Sequence, residues 1–187
     1  MIQTHPFTPI ANQQSKALIV GTLPPDTAPF YYSNSCNTRM WDILKTIQTG
    51  EKEIFKNTVL HPKEDKIEIL NNLNVGMCDI IKKYQRSKLT VKDTDILPIE
   101  YFNVHSLAKE YNISNILFVY ESAAKWFLHS LKKQKPIAYN ALPKNKIDYG
   151  EFEKIEDVSC ILLPNPLNRG KKGETLAFKL SEYKKYI

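Results

Sequence analysis

Glycine is scarce in this chain, at six residues of 187, and cysteine scarcer, at three. No Walker loop, no GxGxxG fingerprint and no Ser–His–Asp set at motif spacing occurs, so the common nucleotide-cradling and acyl-transfer designs are excluded. Cys36, Cys78 and Cys160 stand far apart, without a CxxC pair or a histidine at ligand spacing. That argues against a disulfide framework and against a zinc or iron–sulfur site, and leaves small buried thiols as their role. His5, His61, His105 and His129 are scattered singly, with no nucleophile or carboxylate partner at motif spacing. No run of eighteen apolar residues is present, and the opening MIQTHPFTPIANQQSK has neither a basic nor an apolar leader region. A soluble, intracellular, cytoplasmic protein with no membrane contact is expected.

What is present is enough apolar material, 42% of residues, for one well-filled core, and too little chain for two comfortable domains. A single domain spanning residues 1–187 is expected. The net charge of +6 and pI near 9.1 fit a polyanionic partner, although Lys-rich cytosolic proteins share them. Four apolar, β-branched-rich runs read as buried strands: 17–21, 75–80, 115–120 and 158–163. Between them lie stripes of helical period: Trp41, Ile43, Leu44 and Ile47; Ile67, Leu70 and Leu73; Phe102, Leu107 and Tyr111; Ala123, Ala124, Phe127 and Leu131. A last amphipathic helix is expected within 174–186, and Trp41 and Trp126, on apolar stripes, belong to the core. The alternation predicts an α/β fold, a three-layer α/β/α sandwich around a mainly parallel four-stranded sheet. Residues 22–37 and 136–157 read as surface loops, and whether Lys144 and Lys146 in the second touch a ligand or cover the sheet edge stays open.

Ligands of such sheets bind where loops leave the carboxyl ends of the strands, here after Gly21, Asp79, Tyr120 and Leu163. The first loop reads Gly21-Thr22-Leu23-Pro24-Pro25-Asp26, continues through Tyr31-Tyr32-Ser33-Asn34 to Asn37, and meets Trp41. The last reads Leu163-Pro164-Asn165-Pro166-Leu167-Asn168-Arg169-Gly170, and a middle stretch reads Gly76-Met77-Cys78-Asp79 with Arg86 and then Asp93 or Asp95. In this order the three segments resemble the signatures of the uracil-DNA glycosylase superfamily: a Gly-x-x-Pro turn with an aromatic pair, an Asp-containing stretch after the second strand, and a Pro-Ser-x-Leu-Ser-type loop after the last.

That resemblance implies an enzyme that rotates a nucleotide out of DNA and cuts its base from the sugar, without metal or cofactor, as a monomer. Extrusion costs a few kcal/mol and is offset by a snug pocket and by phosphate contacts. Gly21, Thr22, Leu23 and Pro24 then form a rigid pocket wall, and Tyr31 and Tyr32 offer faces on which the extruded base stacks. Leu167 is the candidate wedge that fills the gap in the duplex, or else caps the core beneath a surface loop. Asn165 shapes the pocket beside it, and Asn168, Arg169, Lys171 and Lys172 are placed to meet DNA phosphates, unless these lysines are a merely solvated face.

The chain departs from the superfamily at the positions that define uracil chemistry. Leu23 stands where well-studied members carry the water-activating Asp or Asn, and Leu163 where some carry a His. Oxocarbenium character in the sugar calls for a nearby carboxylate, so Asp26 and Asp79 are candidates, with Asn37 as a residue that positions water without supplying charge. Asp26 otherwise stabilises a turn and Asn37 caps a helix. Tyr120 and Glu121 replace an Asn-Gly pair that reads uracil; a glutamate accepts, and so suits an exocyclic amino group, unless it simply favours the start of the next helix. The expected substrate is a damaged or modified base, such as a uracil-like base, hypoxanthine or a modified cytosine. Repair, defence against phage DNA carrying hypermodified bases, and a catalytically silent DNA-binding module are the alternatives, with an unrelated small-nucleotide enzyme behind them.

Overall fold

The computed structural model describes residues 1–25, 28–32, 38–50, 63–86, 92–167 and 174–187. Asp26, Asn37, Asn168, Arg169, Lys171 and Lys172, with Asn34, Cys36 and His61, therefore lie outside the described residues.

Strands β2 (Ala17–Gly21), β3 (Val75–Asp79) and β8 (Val158–Leu162) and the shorter β6 (Asn115–Phe118) are the four apolar runs, and they pair in parallel in the order β3-β2-β6-β8. Parallel strands buried on both faces need apolar residues at every position, which is why these runs do not alternate. Successive side chains still point to opposite faces. Leu18 and Val20 join a cluster with Val104 and Ala108 of α3 (Val104–Glu110) and with Ala123, Ala124, Trp126 and Phe127 of α4 (Glu121–Leu131). Ala17 and Ile19 join a second cluster with Met40, Trp41, Ile43 and Leu44 of α1 (Met40–Thr49), Ile69 and Leu70 of α2 (Lys63–Leu73), and Tyr183 of α5 (Leu176–Tyr183). Trp41 and Trp126 are core residues, and Cys78 and Cys160 are buried free thiols.

The expected four-stranded sheet is corrected to five. Strand β7 (Gly150–Ile155) pairs antiparallel with β8, through a two-residue turn in which Glu156 takes a left-handed conformation (φ 54°). It comes from the stretch 136–157 that reads as a polar loop. An edge strand shares only one side with the sheet, so Glu151, Glu153 and Lys154 are tolerated on it, and such charges blunt a free edge. A separate three-stranded sheet was not foreseen either: β1 (Gln3–Thr4), β4 (Ile81–Arg86) and β5 (Ile96–Tyr101) pair antiparallel in the order β1-β4-β5. Its inner face gives Tyr84 and Ile96 to the core, while Leu97 and Ile99 are exposed. Among the described residues no helix is long and apolar enough to cross a membrane.

Candidate active site

The register of β2 on β3 sets Gly21 opposite Asp79 at the carboxyl end of the sheet. The loops leaving β2, β6 and β8 rise around this point and enclose a cleft of about 790 Å³. Its walls are Thr22, Leu23, Pro24 and Pro25 after β2, Tyr120, Glu121, Ser122 and Lys125 at the start of α4, and Leu167 after β8. A short 3-10 turn, Asp93–Asp95, adds Asp93, and the 136–157 segment adds Tyr139, Asn140, Leu142, Pro143 and Lys144. That segment is thus part of the cleft as well as of the sheet edge.

Asp79 is buried, and its Oδ2 accepts a hydrogen bond from His5 Nε2 at 3.0 Å. His5 is buried behind it, its ring packed against Phe7, Tyr31 and Phe102, with Nδ1 2.7 Å from the Phe7 carbonyl oxygen and 3.0 Å from the Phe7 amide nitrogen. An acceptor carboxylate places the proton on Nε2. On the other side of Asp79, Gly21 is required by space. A Cβ there would stand 2.2 Å from Tyr32 Oη and 2.3 Å from Asp79 Oδ1. Tyr32 reaches this position from a left-handed backbone (φ 52°), and its solvent-shielded hydroxyl has no hydrogen-bond partner among the described residues. Burial, and then the charge of Asp79, push the phenol well above its ordinary pKa, so it is neutral.

Asp93 has different surroundings. Ser122 Oγ donates to its Oδ2 at 2.5 Å, and Thr22 provides a second side-chain hydrogen bond. Burial raises its pKa, and Asp79 adds to the rise, against the opposing hydrogen bonds of Ser122 and Thr22 and the charge of Arg86. Burial, Asp93 and Asp79 likewise raise Tyr120. Arg86 holds the first loop in place by donating from Nη2 to the Pro24 carbonyl at 3.0 Å.

The loop that carries Leu167 is clamped from several sides. Lys179, buried on α5, donates to the Leu167 carbonyl at 2.6 Å; Tyr183 Oη donates to the Pro164 carbonyl at 3.0 Å; and the Arg39 amide donates to the Pro166 carbonyl at 2.6 Å. Leu167 also forms an isolated antiparallel bridge with Thr38.

Of the residues singled out from sequence, Thr22, Leu23, Pro24, Tyr32, Asp79, Tyr120, Glu121 and Leu167 line one cleft, with Gly21 beneath it. Tyr31 and Asn165 are placed elsewhere. Tyr31 is corrected from a stacking face to a core residue: its hydroxyl donates to the Thr8 carbonyl, its carbonyl accepts from Trp41 Nε1, and Phe7 and Phe30 pack on its ring. Asn165 borders a second cavity of about 280 Å³ and accepts the Leu167 amide at 3.2 Å, so it shapes the loop rather than the cleft wall. Glu121 borders both cavities, and its Oε1 already accepts from the Ile147 amide and from Lys125 Nζ. Sequence reasoning missed His5, Ser122 and Lys179, and met Asp93 only as an alternative to Asp95. Among the described residues no group of three or more His, Cys, Asp or Glu is placed to hold a metal ion.

No protein-family model matches the chain, and no curated protein sequence does. Among solved structures, the fold is that of a class of α/β proteins with a DNA-glycosylase-named member. The chain is similar to the solution NMR structure of a "putative Uracil DNA glycosylase" from Methanosarcina acetivorans, with a TM-score of 0.61 and 18% identity over 99% of this chain and 96% of that one. At that identity the likeness is one of fold.

Proposed function

We propose that the chain, as one domain and one subunit, is a monofunctional DNA N-glycosylase that extrudes a damaged or modified base into the cleft and hydrolyses its glycosidic bond. One observation carries the reading: a buried carboxylate, Asp79, is fixed at the floor of a cleft at the carboxyl end of the sheet, where such folds bind ligands. The sandwich-like pair of cores and the similar solved structure support it.

Asp79 stabilises positive charge developing on the sugar and orients the attacking water, a task that needs a fixed anion close to the reacting carbon. Tyr32 offers its hydroxyl to that water or to the base, and the aromatic rings of Tyr32 and Tyr120 flank the extruded base. Asp26 and Asn37, on the same first loop, are additional water-positioning candidates. Leu167, held by its clamps, enters the duplex where the base left, and Asn168, Arg169, Lys171 and Lys172 meet backbone phosphates. The cleft is of the size that takes drug-sized ligands, larger than an unmodified pyrimidine needs, which favours an enlarged base.

The test is incubation of the purified protein with duplex and single-stranded oligonucleotides carrying uracil, hypoxanthine and modified cytosines, followed by alkali to reveal abasic sites. Strand breaks at one or more of these bases are expected, and Leu167→Ala is expected to lower action on duplex far more than on single strands. Tight binding with no breaks on any substrate would replace the reading with that of a silent binding module, and equal effects of Leu167→Ala on both strands would remove the wedge.

A further inference from the structure

Among the described residues three acids line the cleft; Glu121 is engaged by the Ile147 amide and Lys125, and Asp79 and Asp93 do not share an environment. Asp79 accepts a hydrogen bond from the His5 imidazole at 3.0 Å. Asp93 is met by neutral hydroxyls, those of Ser122 and Thr22, in a half-buried position where the charge of Asp79 also acts on it. Two carboxyl groups that share a cleft but not their hydrogen-bond partners can divide acid and base roles between them. The solvent-shielded hydroxyl of Tyr32, which has no hydrogen-bond partner among the described residues, lies on the same floor beside Gly21 and Asp79.

We propose that Asp93 is the general acid of the glycosylase reaction, protonating the departing base, so that the cleft serves bases that leave poorly as anions, hypoxanthine and cytosine derivatives, rather than uracil. This rests on the glycosylase reading and adds a catalytic residue and a substrate class to it. In the step, water attacks the sugar carbon as the carbon–nitrogen bond breaks. The Asp79 carboxylate takes the water's proton, and the Asp93 carboxylic acid gives its own to a nitrogen or carbonyl oxygen of the base. The products are the neutral base and an abasic sugar hydroxyl, with Asp79 protonated and Asp93 ionised until solvent exchange resets both. No metal, oxidant or second substrate enters the balance. Burial raises the pKa of Asp93, the direction a proton donor needs. Other titratable groups sharing the cleft or acting on Asp93 are Asp79 from β3, Arg86 from β4, Tyr120 and the Glu121–Lys125 pair at α4, Lys92 beside the turn, and Tyr139 and Lys144 from the 136–157 segment.

The experiment is single-turnover excision by the full chain from oligonucleotides carrying hypoxanthine, cytosine or 5-fluorouracil, the last a base that departs readily as an anion. Asp93→Asn is expected to slow hypoxanthine or cytosine excision by about 10²–10⁴-fold and 5-fluorouracil excision by under about tenfold. The wild-type rate on the poor leaving group should fall as pH rises through the ionisation of Asp93, and this limb should vanish in Asp93→Asn. Ser122→Ala removes a hydrogen bond that favours the anion, so the limb should move to higher pH, which keeps the test open if Asp93→Asn folds poorly. Excision with an equal loss across all three bases, excision of 5-fluorouracil alone, or an unmoved limb in Ser122→Ala would overturn the acid role while leaving the glycosylase reading standing. No excision of any base by the wild type would overturn both.

Discussion

The two sheets of this molecule contribute to the cleft in different ways. The five-stranded sheet is buried on both faces at β2 and β3, and its parallel ladder leaves Gly21 and Asp79 one possible relation to each other. The three-stranded sheet is buried on one face only and touches the cleft through what lies at its ends. His5 follows β1 and stands behind Asp79; Arg86 closes β4 and pins the first loop; Asp93 precedes β5 and faces the cleft. The large sheet fixes where the carboxylate is, and the small sheet sets the electrostatic conditions around it. Position and reactivity are therefore carried by separate elements, and substitutions in the two should fail differently.

The largest effect is expected at Asp79. Asp79→Asn keeps the shape and an oxygen that accepts from His5 Nε2, but removes the charge that the proposed reaction needs. Excision should fall by about 10²–10⁴-fold with the melting temperature little changed, measured by single-turnover kinetics beside thermal denaturation. An undiminished rate would sever the sheet register from the chemistry. Gly21→Ala attacks the same register without touching a functional group. Its methyl would have to displace Tyr32 Oη or the Asp79 carboxylate, each within 2.3 Å, so excision should drop by on the order of 10–10²-fold with a stability loss of about 1–3 kcal/mol from overpacking.

His5→Ala tests the small sheet's share. It strips the buried Asp79 Oδ2 of its donor and opens space among Phe7, Tyr31 and Phe102. A buried acceptor left without its partner costs about 1–3 kcal/mol, to be read from denaturant unfolding, and excision should fall by roughly tenfold because the carboxylate persists. Loss of stability with full activity would reduce His5 to a structural residue.

These residues also show what could be read before the structure was known. Strands β2, β3, β6 and β8 were legible because burial on both faces writes itself as an unbroken apolar run, and α1, α2, α4 and α5 because each kept an apolar stripe; of Phe102, Leu107 and Tyr111 only Leu107 lies within α3, whose buried residues are Val104 and Ala108. Strands β4 and β7 each carry three charged residues in six, Lys82, Lys83 and Arg86 in the one and Glu151, Glu153 and Lys154 in the other, and β5 holds Pro98 in its middle, so none of the three has the signature of a buried strand. Cleft walls in sequence-adjacent loops were legible too: Thr22 to Pro24, Tyr120 and Glu121, and Leu167. The His5–Asp79 pair joins residues 74 positions apart, and no local spacing encodes that distance. Tyr31 and Tyr32 are neighbours with one composition and opposite fates, decided by the left-handed backbone at Tyr32 that turns one ring toward the cleft and leaves the other in the core.

The smallest effect is expected at the far end of β5 in the three-stranded sheet, where Glu100 pairs with Lys82 and Lys83 of β4, the second at 2.7 Å. The two lysines hold the Glu100 carboxyl below the ordinary glutamate range, chiefly through their hydrogen bonds. A depressed carboxylate pKa adds stability that is present above the unfolded value, near 4.3, and is lost as pH falls through the folded one. All three side chains are well exposed, so water screens the pair and the contribution is held to under about 0.5 kcal/mol. Glu100→Gln should therefore lower the melting temperature slightly at neutral pH, by an amount that shrinks in high salt and disappears in acid, with excision unchanged. A clear loss of excision would show that the exposed ion pairs of the small sheet, and not only His5, Arg86 and Asp93, set the chemistry of the cleft.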